Sequence, residues 1–288
     1  MVIGAVLLAT PLTTKSGDRT PAIDALFTSV SAVAVTGLVT VDTATHWNFF
    51  GQVIILLLMQ IGGLGFMVGA GILFQLSRGG RTTLNQSLFL RDGSPSITLR
   101  EASDLSKHIA VFTFVAEGIG WLILTARFSR DMPFDRALWH GLFHSVSAFC
   151  NAGFDLQGNF QSMTSYRDSL VVNITIAMLV LAGALSFLVV RDVVEWLPSL
   201  RRSVGRQTLG LDAKLVLSGN LVLFVIGLVA MLLLEWNGML AHFSGVGKIS
   251  SAAFQSIAGR TSGFATVDWE SANSITQFVW LALMMVGG

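Results

Sequence analysis

Charge is scarce in this chain. Only 12% of its 288 residues are Asp, Glu, Lys or Arg, about half the share of a soluble domain, while 52% are hydrophobic. That balance excludes an ordinary water-soluble surface and points to a bilayer as solvent. The formal net charge of +1 gives no electrostatic footprint for nucleic acid. Cysteine is nearly absent: Cys150 alone cannot form an intrachain disulfide or a cluster of thiolate ligands. Proline is limited to Pro11, Pro21, Pro95, Pro133 and Pro198, all between the long apolar runs, where no helical hydrogen bond is lost. The start, Met1–Ala9, is apolar but lacks the basic flank and cleavage site of a signal peptide. Both ends fall inside apolar runs, so the chain reads as a fragment of a longer membrane protein.

What is present is periodic. Spans of about 20 apolar residues are expected at Asn48–Leu76, His108–Ala126, Ser169–Val190 and Leu215–Leu234, with part-spans at Met1–Pro11 and Asn273–Gly288. Between them one motif recurs three times: LFTSVSAVAVTGL at Leu26–Leu38, LFHSVSAFCNAGF at Leu142–Phe154 and AFQSIAGRTSGF at Ala253–Phe264. The copies lie at nearly equal intervals, as an internal repeat does. Each is an amphipathic stretch, a step of small or polar residues with glycine, and one large apolar residue. Pro21 and Pro133 stand at helix-start positions before the first two copies. A helix over Ala22–Ala32 would rise roughly 16 Å, half a membrane.

The expected fold is therefore all-α and membrane-integral, with tandem span–pore-loop–span repeats held around one axis. Repeat 1 covers 1–76 and repeat 2 covers 108–190. Repeat 3 covers 215–288 and is cut within its second span. The connections 77–107 and 191–214 carry ten of the eighteen Lys and Arg, which places them in the cytoplasm. The motif loops then enter from the extracytoplasmic side. Most tryptophans fall near span ends, as interfacial anchors against lipid do.

Irregular backbone at membrane depth is tolerated only where protein or a water-filled cavity surrounds it. Helix C-termini carry partial negative charge, and several converging on one cavity favour cations. The loops Val35-Thr36-Gly37-Leu38, Asn151-Ala152-Gly153-Phe154 and Thr261-Ser262-Gly263-Phe264 can then offer carbonyls in place of an ion's water shell. The residue after each glycine can wedge its loop against the neighbours.

These loops resemble the filters of the Trk/Ktr/HKT superfamily of potassium transporters. AVTGL at Ala34–Leu38, NAGF at Asn151–Phe154 and Arg260–Phe264, with Ser262 where the family has alanine, carry the likeness. The resemblance implies four such repeats around a pseudo-fourfold ion pore, of which the fourth is missing here, and a K+-selective, channel-like uptake subunit of the plasma membrane with K+ at the filter. The three filter glycines go with potassium preference in this family. It also implies a homodimer and a cytoplasmic nucleotide-binding regulatory ring docked on the basic connections, the nucleotide being held by that partner and not by this chain. A Gly/Ser-rich gating loop would begin at Val286-Gly287-Gly288.

Other residues carry weaker signals. Asp42, Asp155 and Asp268 follow the loops and can either draw cations to an outer vestibule or cap the next short segment. Glu117 lies mid-span, where a carboxylate needs a partner, and Arg260 beside the third loop is the expected one. His140 and His144 share a helix face at a spacing that zinc could use, but no third ligand is evident. No transition metal is expected, and helix packing accounts for the pair. The competing functions are a sodium-permeable relative, an intramembrane metal enzyme using His140, His144 and Glu117, and a non-conducting scaffold. No catalysis is expected.

Overall fold

A computed structural model of the chain describes residues 1–79, 99–185 and 209–286, together with Val189, Asp192, Val193 and Trp196. The side chains of 66–79, 99–108 and 212 are not described. The helices are α1 (Val2–Leu8), α2 (Ala22–Val33), α3 (Thr43–His46), α4 (Phe49–Gly79), α5 (Leu99–Phe128), α6 (Phe134–Phe149), α7 (Leu170–Ala184), α8 (Leu211–Glu235), α9 (Gly245–Thr261) and α10 (Ser274–Val286). The described residues form no sheet; a lone antiparallel bridge joins Thr14 to Trp47.

Among the described residues, two helices have the length and apolarity to cross a bilayer. Ala213–Glu235 within α8 has a mean hydropathy of 2.5, and Ile109–Phe128 within α5 reaches 1.9. At 1.5 Å per residue each spans about 30 Å or more, the thickness of the hydrocarbon core. Their packing also suits lipid, because Leu215, Leu221, Val222, Val225, Val229 and Leu233 of α8 remain exposed. In water such a surface would be a large unpaired apolar patch.

The second class of helix is shorter and packs against the long helices. α2 and α6 begin directly after Pro21 and Pro133, whose φ values of −51° and −54° suit a helix entry. Asp24 and Asp135 occupy the first turns, favourably placed for the helix dipole. α9 begins instead at Ser244, whose Oγ accepts the Gly247 N–H at 3.1 Å. The expected short helix at Ala22–Ala32 is thus found as Ala22–Val33, and α6 and α9 follow the same design.

Three apolar clusters hold this arrangement. One joins α1, α2 and α4 through Leu8, Ala25, Trp47, Ile55 and Met59; a second joins α5, α6 and α7 through Leu124, Phe128, Phe149 and Ile176; the third joins α8, α9 and α10 through Met231, Ala252, Trp280 and Leu283. The clusters interlock: Phe154, after the second loop, is buried in the α1–α2–α4 cluster, and Phe264, after the third, in the α5–α7 cluster. Leu38, expected to wedge likewise, is 63% exposed, because no earlier cluster in chain order stands beside the first loop.

The largest departures from the sequence expectation are at α7 and α5. α7 ends at Ala184, where Leu185 turns extended with ψ 133°, short of the expected Val190. α5 starts at Leu99, within the expected connection 77–107, because LREASDLSK is rich in helix formers. The basic segments 80–98 and most of 191–208 lie outside the described residues.

Candidate ion-path loops

The first two loops leave their helices in the same way. In α2 the N–H of Thr36 bonds Ser31 O (3.0 Å) and that of Val35 bonds Ala32 O (3.3 Å); in α6, Ala152 bonds Ser147 O (2.8 Å) and Asn151 bonds Ala148 O (3.1 Å). This paired closure requires a left-handed residue just past the helix. Val35 (φ 53°) and Asn151 (φ 58°) occupy it. Asparagine tolerates that region, whereas a β-branched valine there is strained. In the third copy the helix continues through Thr261, and Ser262 caps it with φ −94°. Gly263 then bonds Ala258 O at 3.2 Å. That extra helical residue in place of a left-handed step accounts for the one-residue-shorter distance from Phe254 to Gly263.

The three glycines lie side by side. Gly37, Gly153 and Gly263 all have φ between 72° and 76°. A Cβ built on Gly37 would meet Ala152 O at 2.3 Å and Gly153 Cα at 3.3 Å. One built on Gly153 would meet Ser262 O at 2.2 Å and Gly263 Cα at 3.4 Å. The contact repeats from loop to loop: each glycine faces the carbonyl just before the next glycine. Neither position has room for a side chain, and both have a backbone conformation that only glycine adopts freely. A cavity of about 120 Å³ opens against these glycines, lined also by Asp42, Asp155, Phe160 and Ser162.

Serines anchor the short helices at a common depth. Ser29, Ser145 and Ser256 hold the same place in the three motif copies. Ser29 Oγ donates to Met1 O (2.7 Å), Ser145 Oγ to Glu117 O (2.6 Å) and Ser256 Oγ to Phe224 O (2.7 Å). Three residues after each accepting carbonyl stands a glycine: Gly4, Gly120 or Gly227. A Cβ there would lie 2.5–2.6 Å from the serine hydroxyl. Sequence reading missed this pairing. Its signal was available, since a glycine sits in each preceding apolar run and a serine two residues after each motif phenylalanine.

Side chains below the glycines brace the descending strands. Ser147 Oγ donates to Phe154 O at 2.7 Å. His144 Nε2 accepts the Leu156 N–H at 3.2 Å, which puts the ring proton on Nδ1, donated to His140 O at 2.7 Å. Both His144 nitrogens are therefore engaged in the loop's own bonding, and the two-histidine metal arrangement does not form. Gln255 holds the equivalent place in α9. With its amide nitrogen toward Phe264 O (3.1 Å), its oxygen accepts from Trp269 Nε1 (3.3 Å).

The expected acidic residues separate into different roles. Asp42 caps α3, accepting from Thr45 N (2.7 Å) and Thr45 Oγ1 (2.8 Å), and its second oxygen accepts from Phe160 N at 2.8 Å. Burial alone would raise its pKa, but the N–H donors of Phe160 and Thr45 outweigh it and hold the carboxyl below its usual range. Asp155 bonds Gln157 N at 2.9 Å. Burial, with the Asp42 charge adding to it, pushes it up to about 6. Asp268 caps the turn at Trp269–Ser271 and is exposed. So Asp42 and Asp155 share the cavity, whereas Asp268 lies outside it.

The expected ion pair between Glu117 and Arg260 is corrected. Arg260 Nε donates to Ser256 O (2.9 Å) and its guanidinium reaches Asn220 Oδ1 at 3.2 Å, so it turns toward α8. Glu117 lies against Cys150 Sγ at 4.0 Å. Glu117 on α5 faces the end of α6, Arg260 on α9 faces α8, and the two form no salt bridge.

The family model described as TrkH, cation transport protein, matches residues 2–288. The Ktr system potassium uptake protein B of Bacillus subtilis is 36% identical over all of this chain, which spans 62% of that protein. The potassium/sodium uptake protein NtpJ of Enterococcus hirae is 33% identical, again over all of this chain and 62% of the relative. The chain thus spans under two thirds of the length of these relatives. Among solved structures, the potassium transporter TrkH of Vibrio parahaemolyticus matches with a TM-score of 0.65 at 17% identity, covering 98% of this chain and 54% of that one. That likeness is one of fold.

Proposed function

The chain belongs to the TrkH family of cation transport proteins, and we propose that within the whole protein it lines a potassium uptake path. The carbonyls of Val35–Leu38, Asn151–Phe154 and Thr261–Phe264 replace the ion's water shell. The observation that carries this reading is the contact of Gly37 with the Gly153 loop and of Gly153 with the Gly263 loop. Three helix C-termini end at these loops, so their dipoles favour a cation there. Asp42 and Asp155 add negative charge at the cavity mouth and raise the local cation concentration.

In this reading the chain divides into repeats at 1–76, 108–190 and 215–288. A fourth helix–loop unit closes the ring beside Gly263, where an apolar hollow of about 370 Å³ is lined by Phe264, Trp269, Trp280, Leu281 and Met284. The protein crosses the plasma membrane several times, with the loops entering from outside and the basic connections inside. It pairs as a homodimer and docks a nucleotide-binding ring on those connections.

A sodium-permeable relative is the second reading, favoured by the name of the potassium/sodium uptake relative. The test is uptake of 86Rb+ and 22Na+ by the full-length protein in a host lacking its own potassium uptake. Rubidium uptake that resists excess sodium supports the potassium path. Equal handling of the two ions removes the preference, and no uptake of either removes the transport reading.

A further inference from the structure

The loops are tied to one another by side chains as well as by backbone contact, and the ties are unequal. Thr261 Oγ1 donates to Asn151 Oδ1 at 2.9 Å, joining the end of α9 to the left-handed residue of the second loop. The Asn151 amide nitrogen faces Val180 O (3.2 Å) and Phe149 O (3.3 Å). One side chain therefore fastens the end of α6, the middle of α7 and the end of α9. The amide orientation follows from these partners, with nitrogen toward two carbonyls and oxygen toward a hydroxyl.

We propose that the Asn151–Thr261 hydrogen bond is a specificity latch, setting the distance between the second and third loops and with it the preference for potassium over sodium. This rests on the reading of the loops as the ion path. The latch stands next to the closest approach between those loops: Asn151 is two residues before Gly153, and Thr261 is one before Ser262, whose carbonyl lies against Gly153. Rotation or retreat of Thr261 would carry that carbonyl with it. A ring of carbonyls distinguishes ions of equal charge by how firmly it holds its oxygens at one separation. A half-buried bond between neutral groups supplies that firmness without placing a charge beside the ion.

The first pair of loops has a different arrangement. Val35 occupies the Asn151 position there and has no polar atom to offer. The outer tie between those two segments is the Asp42 carboxylate on Phe160 N, some residues beyond the glycines. The latch thus gives the second and third loops a constraint near the glycines that the Val35 position cannot provide. Asn151 and Thr261 act on the ion through the loop backbone and are positioning residues.

The test compares T261V, which keeps the shape and loses the hydroxyl, with T261S, which keeps the hydroxyl. Both are made in the full-length protein and assayed for 86Rb+ and 22Na+ uptake per unit of membrane-inserted protein. T261V lowers the rubidium-to-sodium ratio roughly fivefold, the size of one net hydrogen bond, and T261S restores it to near the wild-type value. In an N151A background, T261V lowers the ratio no further. If T261V does not reach the membrane, T261A carries the same expectation. A hydroxyl-free variant with the wild-type ratio overturns the latch, as does an equal fall in both ions that tracks protein amount. A wild-type protein without rubidium preference overturns the ion-path reading itself and the latch with it; a rubidium-preferring wild type with an unaltered T261V overturns the latch alone.

Discussion

An alanine at Gly153 perturbs the centre of the proposed path and nothing else nearby. Its methyl group would sit 2.2 Å from Ser262 O and 3.2 Å from Ser262 C, so the carbonyl must retreat by roughly 1 Å to reach ordinary van der Waals contact. The φ of +73° adds its own penalty. A non-glycine residue in the left-handed region costs about 1–2 kcal/mol, and overpacking adds about 1–3 kcal/mol. The combined cost of about 2–5 kcal/mol compares with a total stability of about 5–15 kcal/mol for a typical domain. The chain can still fold, and the strain is relieved by moving a carbonyl of the proposed ion path.

Gly17 separates the two effects. Its φ is +78°, yet an added Cβ would have no atom within 4 Å. G17A therefore meets the conformational penalty of about 1–2 kcal/mol without displacing any neighbour. Both variants are made in the full-length protein and assayed for 86Rb+ uptake per unit of inserted protein, with excess sodium as competitor and thermal unfolding in detergent as the stability readout. G153A should lose on the order of tenfold or more in uptake, corresponding to at least about 1.4 kcal/mol at the ion site, and should lose resistance to sodium. G17A should unfold at a lower temperature with uptake per protein unaltered. G153A with wild-type uptake and sodium resistance would refute the assignment of this contact to the ion path.

The anchoring of the short helices gives a second comparison within one helix. At Gly120 a methyl would lie 2.5 Å from Ser145 Oγ and 2.6 Å from Leu179 Cδ1, while at Gly118 it would meet nothing within 4 Å. In thermal unfolding, G120A should be destabilised by about 1–3 kcal/mol and G118A should be neutral or gain up to about 1 kcal/mol from helix propensity; equal behaviour of the two would remove the anchor. A third expectation concerns pH. Asp155 binds its proton near pH 6 in the fold and near 4 when unfolded, so stability from this group increases as pH falls through that window. Uptake at low external potassium should instead fall with a midpoint near pH 6 as the charge is lost, because Asp42 alone then remains negative at the mouth. D155N should remove that step and leave uptake low throughout; a wild-type-like pH profile in D155N would exclude the role.

Much of the fold was legible because the bilayer imposes simple rules on sequence. Apolar length marked the two helices long enough to cross a bilayer, α5 and α8, and proline punctuation marked the starts of α2 and α6. The glycines were legible because a recurring glycine after a helix is a backbone requirement, here φ values above 70° at all three. Less legible were features set by neighbours. The end of α7 at Ala184 is not written in its apolar run, and the helical start of α5 lies in a segment whose charges suggested a connection. Glu117 and Arg260 looked like partners because each is a charge in an apolar setting. Their real neighbours, Cys150 and Asn220, were chosen by which span packs on which short helix.

The cross-loop ties belong to a level that repetition hides. A motif present three times announces what its copies share, namely the helix, the closing turn and the glycine. It is silent about what one copy does to the next, because those contacts join unlike residues: Asn151 with Thr261, Asp42 with the N–H of Phe160, and the Met163 N–H with Ala265 O. None of these pairs is repeated at the other junction. The second loop is the one fastened on both sides, by backbone contact toward Gly37 and by contact plus the latch toward Gly263. A path built from near-equal loops with unequal fastenings is stiffest where the latch is. Selectivity should therefore be more sensitive to the junction between the second and third loops than to the equally crowded junction at Gly37.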